Sequence, residues 1–169
     1  YLFPDTYRFA PGTPPSVILN SMRRTFDERV QPLEGEIRAS GKTLDEIVTM
    51  ASILEGEARK FETRKVVAGI LWKRIELGMP LQVDAVFGYI LGKSGYAPTF
   101  DDLKLDSPYN TYMNRGLPPG PIGNPGLDAI RAVLEPTATP YLYYLTGSDG
   151  RMYYARTFDE HLVNRGKLR

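Results

Sequence analysis

The segment from residue 107 to 126, SPYNTYMNRGLPPGPIGNPG, most constrains the fold of this 169-residue chain. It holds five prolines and four glycines, which break helices and interrupt strands. Long irregular segments of a compact domain often carry function. We therefore predict an ordered loop here that forms part of a binding site, with regular elements on either side of it.

Helix and strand signals flank this loop. The pattern TLDE, from residue 43, is a capping box that predicts a helix over about residues 44–58, and a second helix is predicted over residues 63–78. After the loop, YLYYLTGSDGRMYYA predicts a hairpin, and TFDE is a second capping box. Because helices come first and strands are scattered, the order favours an α+β fold over a doubly wound sheet.

Composition excludes several classes of protein. Lys and Arg number 21 against 20 Asp and Glu, so no nucleic-acid partner is expected. Cysteine is absent, and we expect a structural role for the single histidine, His161, so we predict neither a metal nor a cofactor. The chain opens on the apolar, aromatic YLFPDTYRF and has no run of about 20 apolar residues. We expect a piece of a longer protein that forms one domain over residues 1–169, with 1–40 as a semi-separate lead-in.

The stretch MASILEGEARK carries two glutamates at the end of the first capped helix. On a helical wheel with Leu44 at zero, the apolar side chains lie between about 280° and about 40°. Glu55 falls at about 20°, within this face, and Glu57 at about 220°, on the polar face. Periodicity thus predicts that Glu55 enters an apolar environment and that Glu57 is a solvated helix charge.

A carboxylate at the position predicted for Glu55 has three physical explanations. If it is buried without a partner, its pKa rises and it can act as a general acid near neutral pH. If it pairs with one of the arginines, it is a buried structural ion pair. The helix can also be less buried than its pattern suggests. The residues alone leave these alternatives open.

Candidate binding residues lie in two further segments. Gln82 and Asp84 alternate with apolar residues in LQVD, which predicts a short strand with both polar side chains on one face. That face either lines a polar cleft or is the solvent side of an edge strand.

The irregular loop contributes the second set of candidates. Aromatic rings and hydrogen-bonding groups mixed at this density suit a sugar; the alternative is a loop that holds itself together through turn bonds. The candidate residues are Tyr109, Asn110, Thr111, Tyr112 and, as a possible helix cap, Asn124.

Several motifs together resemble one family. YLFPDTY, ASILEGEA, LQVDAVFGY, the loop segment SPYNTYMNRGLPPGPIGNPG and TFDEH occur in the order typical of the endolytic murein transglycosylases, the YceG-like family. The resemblance covers essentially the whole chain. Two positions depart from the family pattern: Ala85 stands where the family often has Pro, and Met152 where it frequently has His.

The resemblance implies a bacterial lyase that cuts nascent peptidoglycan glycan strands internally and ends their elongation. It implies an N-terminal transmembrane helix outside this sequence, a catalytic part outside the cytoplasmic membrane, and wall synthases as partners. The family's catalytic glutamate, in the ASIxE motif, is assigned by this resemblance to Glu55. One acid then cleaves the bond between N-acetylmuramic acid and N-acetylglucosamine and leaves a 1,6-anhydro ring.

Two other functions remain open at this stage. A muramidase-type hydrolase needs a second carboxylate, for which Asp84 is the candidate. A non-catalytic peptidoglycan-binding module would keep the tyrosine-rich loop but would not need an acid on the helix. For the enzyme, we expect the loop to pack beside the end of the Glu55 helix with LQVD opposite. Tyr109 or Tyr112 would stack on sugar, and Asn110 would bond an acetamido group or Glu55.

Overall fold

A computed structural model describes residues 1–166 of the chain, and its α+β architecture is the one predicted. The helices are α1 Pro15–Val30, α2 Glu34–Ser40, α3 Leu44–Glu57, α4 Phe61–Glu76, α5 Ala85–Leu91, α6 Leu127–Leu134 and α7 Phe158–Arg165. The strands are β1 Tyr143–Thr146 and β2 Met152–Ala155. Single 3-10 turns span Gln31–Leu33 and Asp102–Lys104.

Helix α3 is the centre of the core. Its capping box forms as predicted, with the Thr43 hydroxyl accepting from the Glu46 amide and the Glu46 carboxylate accepting from the Thr43 amide. Every residue from Ile47 to Leu54 is buried, so the helix has no solvated face along this stretch. Helices α4, α5 and α6 pack around it. A helix that is apolar on all sides is a core helix rather than a one-sided surface helix.

The amino-terminal helices pack onto the same core. Pro32 lies in the 3-10 turn that separates α1 from α2. Phe26, Val30 and Leu33 are buried and belong to the hydrophobic cluster that contains α3. Along residues 1–166, no helix has the length and apolar character that crossing a bilayer requires.

The segment LQVD keeps its predicted alternation but is not a strand. Leu81 and Val83 are buried while Gln82 and Asp84 are exposed, and only an isolated bridge, between Pro80 and Arg115, forms nearby. Gln82 has φ of 52°, a left-handed conformation that interrupts extended structure. Helix α5 begins immediately after Asp84.

The hairpin and the last helix form as predicted. Strands β1 and β2 pair antiparallel, with Tyr144 opposite Tyr154. The second capping box, Thr157 with Glu160, begins α7, which packs against both strands. The loop from residue 107 to 126 is irregular, as its prolines and glycines require.

Candidate active site

A cleft of about 520 Å³ lies between the end of α3, the start of α5 and the hairpin. Its polar lining comes from segments far apart in the sequence, including helix ends, the irregular loop and a strand. The lining residues are Glu57, Arg74, Gln82, Asp84, Phe100, Leu103, Tyr112, Tyr143, Tyr144, Leu145, Thr146, Phe158, His161 and Arg165.

Glu57 is the carboxyl group of this cleft whose environment favours proton transfer. The Tyr144 hydroxyl donates to its Oε2 at 2.9 Å, and the backbone N–H of Ala85 donates a further hydrogen bond. The side chain keeps access to the cleft but is enclosed by protein elsewhere. Burial raises the pKa of Glu57 above its ordinary value, the Asp84 charge raises it further, and the two hydrogen bonds oppose the rise.

Glu55 lies outside the cleft, which corrects the prediction from periodicity. Its Oε1 is 2.7 Å from Nη2 of Arg64, and about a third of its side chain, 32%, is exposed. It borders a smaller hollow with Phe3 and Leu127 among others. The ion-pair alternative therefore describes Glu55, and the solvated charge expected at Glu57 was wrong.

The wheel failed because its one-sided assumption does not hold for α3. Neighbours cover every side of the helix, so no angular sector corresponds to solvent. The warning signal was in the sequence: the run IVTMASIL has no charged residue and so no polar face. Which neighbour each glutamate meets is a property of tertiary packing.

Gln82 is held in its unusual conformation by two contacts. Its backbone N–H donates to the Thr111 carbonyl at 3.1 Å, and its Oε1 accepts from Nη2 of the buried Arg74 at 2.6 Å. Because a guanidinium only donates, the Gln82 oxygen must face Arg74, which leaves the amide N–H groups available to the cleft. A non-glycine residue in the left-handed region stores strain of a kind that clusters at functional sites.

Asp84 and Tyr112 form a second polar pair on the cleft wall. The Tyr112 hydroxyl donates to Oδ1 of Asp84 at 2.6 Å. Burial and this bond raise the pKa of Tyr112, so the phenol stays protonated. The tyrosine therefore orients the carboxylate that faces Glu57. Tyr112 and LQVD thus belong to the same wall, not to opposite walls as expected.

The other loop candidates do not reach the cleft. Asn110 is fully buried; its amide donates to the carbonyls of Leu103 and Leu105, and its oxygen accepts from the Tyr112 N–H. Thr111 is buried and exchanges hydrogen bonds with the backbone of Val83.

Tyr109 and Asn124 also lie away from the cleft lining. The Tyr109 ring packs on Tyr89, with centroids 4.8 Å apart. Asn124 is exposed, and Gly126, not Asn124, occupies the N-cap of α6. Of the five loop candidates, only Tyr112 lines the cleft. The turn-bond alternative describes Asn110 and Thr111.

Sequence reasoning did not assign several cleft residues. The sequence identified Tyr144 only as part of a strand and Arg74 only as part of a helix. No local pattern in the sequence predicts that a tyrosine or an arginine is buried beside a residue far away in the chain. His161, expected to be structural, lines the cleft and packs on Tyr143 at 5.4 Å between ring centroids. Burial lowers the pKa of His161, which favours the neutral imidazole.

Aromatic rings form part of the cleft mouth. Phe100 is 82% exposed and Phe158 54% exposed, although both line the cleft. Exposed aromatic faces beside polar groups suit a ligand with both apolar faces and hydroxyl edges. Among residues 1–166, no three His, Cys, Asp or Glu side chains cluster closely enough to hold a metal ion.

Comparison with known proteins gives consistent matches. Residues 1–167 match the YceG-like family. The chain is 38% identical over 162 residues to a Bacillus subtilis protein named endolytic murein transglycosylase, across 95% of this chain and 45% of that protein. It is 35% identical over 167 residues to the protein of the same name from Streptococcus pneumoniae, across 95% and 30%.

A solved structure gives the same result. A YceG-like protein from Listeria monocytogenes superposes with a TM-score of 0.92 at 36% identity, over 97% of this chain and 54% of that one. The chain spans less than half the length of the two curated relatives, 45% and 30%.

Proposed function

This chain belongs to the YceG-like family, and on that premise we propose that it is the catalytic domain of an endolytic murein transglycosylase. The substrate is the glycan strand of peptidoglycan, cut within the strand. The observation that carries the proposal is the Glu57 carboxyl group at the cleft, with a raised pKa, beside Tyr144 and Asp84. A carboxyl group with a raised pKa holds its proton to higher pH than an ordinary glutamate does, as the general acid of glycosidic cleavage must.

Glu57 replaces Glu55 as the proposed catalytic residue. Its proton passes to the oxygen that links N-acetylmuramic acid to N-acetylglucosamine, and the bond from that oxygen to the muramic C1 breaks. Positive charge develops on C1 and its ring oxygen. The Glu57 carboxylate then takes the proton of the C6 hydroxyl as that oxygen closes onto C1. Glu57 ends protonated, no water is consumed, and the product carries a 1,6-anhydro ring.

The neighbours of Glu57 divide the remaining work. The Asp84 charge adds to the effect of burial in raising the pKa of Glu57, and during cleavage this negative charge stabilises the positive centre at C1. Tyr144 orients the Glu57 carboxyl group. The N–H groups of Gln82, turned outward by Arg74, donate to a substrate oxygen such as an acetamido carbonyl. Phe100 and Phe158 contact the apolar faces of sugar rings.

Location and partners complete the proposal. Glycan strands lie outside the cytoplasmic membrane, so the cleft works there, held by a membrane helix of the longer protein. Wall synthases are the proposed partners because they make the strands that this reaction ends. Membrane fractionation of cells that express the full protein, followed by protease treatment of intact cells, tests the location. A soluble, protease-protected domain would contradict it.

The chemistry is tested by product analysis. Purified peptidoglycan is treated with the protein, and the new ends are identified by mass spectrometry. We expect 1,6-anhydro-muramic ends, and fewer by about 10²-fold or more with Glu57→Gln. Reducing muramic ends would indicate a hydrolase with Asp84 as the second carboxylate. Binding to glycan strands without any cleavage would indicate a binding module.

A further inference from the structure

The turn between α3 and α4 holds Glu57 at a vulnerable position. Glu57 is the last residue of α3, Ala58 is extended with φ of −148°, and α4 begins at Phe61. The last turns of helices fray because their final carbonyls lack partners within the helix. A residue at such an end needs an external contact if its side chain is to keep one orientation.

Arg64, in the first turn of α4, supplies that contact to residues before and after Glu57 in the sequence. Its Nη2 lies 2.7 Å from Oε1 of Glu55, and its Nε donates to the Ala58 carbonyl at 2.8 Å. Only 12% of the Arg64 side chain is exposed. One planar guanidinium therefore holds the residue two positions before Glu57 and the residue immediately after it. We name this set the Glu55–Arg64–Ala58 bridge.

We propose that Glu55 and Arg64 are positioning residues that fix the orientation of Glu57 through the Glu55–Arg64–Ala58 bridge. Neither side chain lines the cleft, so neither lies among the groups proposed to act on the scissile bond. The bridge acts on the backbone that carries Glu57, from the face of α3 opposite the cleft. A test of this proposal by enzyme activity rests on the proposed function, whereas a test by titration of Glu57 does not.

The physical reason is the short reach of proton transfer. A general acid must come within about 3 Å of the atom it protonates, and a misplacement of about 1 Å can cost up to about 10²-fold in rate. Glu57 also depends on orientation for its bonds to the Tyr144 hydroxyl and the Ala85 N–H. Both bonds favour the charged carboxylate, so weakening them raises the pKa of Glu57 further.

Two variants weaken the bridge in different ways. Arg64→Lys keeps a positive charge near Glu55, but a single ammonium cannot reproduce the fork that also reaches Ala58. Glu55→Gln keeps an acceptor for Arg64 and removes the charge. The matched control is Glu135→Gln, which breaks the other ion pair of α4, with Lys65 at 3.4 Å. The other titratable groups that line the cleft with Glu57 stay unchanged in all three variants: Arg74, Asp84, Tyr112, Tyr143, Tyr144, His161 and Arg165.

Two readouts are taken on folded protein, well below the melting temperature. The first is kcat and KM on purified glycan strands. The second is the titration of the Glu57 carboxyl carbon by 13C NMR, assigned with Glu57→Gln. We expect kcat to fall about tenfold in both bridge variants with KM within about twofold. We also expect the Glu57 titration to move to higher pH, and Glu135→Gln to match the parent.

Each other result overturns a specific claim. If both bridge variants keep the parent's kcat and Glu57 titration and lose only melting temperature, the bridge is merely structural and the inference fails. If Glu55→Gln is as inactive as Glu57→Gln, Glu55 does more than position Glu57 and the inference fails. If the parent does not cleave glycan strands, the proposed function fails, and the NMR titration still decides whether the bridge positions Glu57.

Discussion

The two sides of the last turn of α3 carry the same functional group in opposite chemical settings. Glu55 and Glu57 stand about 200° apart around the helix axis, and both are partly accessible. Glu55 meets a guanidinium at 2.7 Å, whereas Glu57 meets a phenol, a backbone N–H and the charge of Asp84. The comparison teaches that partial accessibility does not distinguish the two carboxylates: Glu55 forms an ion pair with Arg64, whereas burial, together with the Asp84 charge, raises the pKa of Glu57.

Gly56, between them, makes a third and different contact. A Cβ at this position would lie 2.8 Å from the Ala85 Cβ, so the glycine lets the start of α5 approach α3 closely. That approach brings Asp84, at the N-cap of α5, next to Glu57. Three consecutive residues thus face α4, α5 and the cleft.

The largest effect is expected when each glutamate is replaced in turn, which tests the comparison directly. Glu57→Gln keeps the shape and hydrogen bonding but cannot donate the proton, so cleavage should fall by about 10²-fold or more. Glu55→Gln should lose about tenfold. The rate of 1,6-anhydro product formation, followed by chromatography, measures both. Equal losses from the two substitutions would mean that the two sides of the helix are not chemically distinct.

Gly56→Ala tests the contact between the two sides. Its Cβ would force α3 and α5 apart, which moves Glu57 relative to Asp84, and we expect kcat to fall about tenfold or more. The gain of about 1 kcal/mol in helix propensity opposes the steric cost, so the melting temperature should change less than the rate.

Gly35→Ala is the matched control. It adds a Cβ within α2 where nothing lies within 4 Å, so activity should be unchanged. A Gly56→Ala enzyme with parental kcat would show that the α3–α5 spacing does not set the geometry of the cleft.

Asn110→Ala tests whether the irregular loop stabilises the fold or contacts the substrate near Glu57. Removing three buried hydrogen bonds should lower the free energy of unfolding by about 1–3 kcal/mol. At a temperature where the variant is fully folded, its kcat should equal that of the parent. This reverses the expectation from sequence, under which Asn110 contacts the substrate. A loss of kcat in fully folded Asn110→Ala would restore that earlier role.

The free energy of unfolding of the protein should depend on pH through Glu57, in a direction set by the raised pKa of that residue. The folded protein holds the Glu57 proton more tightly than the unfolded chain does, so stability falls as pH rises above 4.5 and levels off above the folded pKa. Glu57→Gln lacks this loss. Urea unfolding from about pH 4 to about pH 8 should therefore show the variant gaining stability relative to the parent. A difference that is independent of pH would contradict a raised pKa.

The smallest effect is expected in the irregular loop, at a residue that contacts neither Glu55 nor Glu57. Asn124 is exposed and lies outside the cleft lining, so Asn124→Ala should change stability by less than about 0.5 kcal/mol and leave kcat and KM unchanged. Thermal unfolding and steady-state kinetics check this. A rise in KM would extend the substrate site along the loop beyond Tyr112.

The sequence by itself determined the main helices and the hairpin, because the signals for them are local, but it wrongly predicted a strand at LQVD and a helix cap at Asn124. The capping boxes at Thr43 and Thr157 set helix starts through bonds that span three residues. Prolines and glycines made the segment from 107 to 126 irregular, and alternation placed Gln82 and Asp84 on one exposed side. The family motifs identified the class of protein without any coordinates.

Only the tertiary structure decided which glutamate faces the cleft. The wheel orders side chains around α3 but does not say what covers each side, and the neighbours come from residues tens of positions away. Tyr144 lies 87 residues from Glu57 in sequence, yet donates to it at 2.9 Å. Arg64 lies close in sequence but reaches Glu55 only because the chain turns sharply after Ala58. A pKa depends on burial and on charges within a few ångströms, so the distinction between acid and ion pair appears only when the chain is folded.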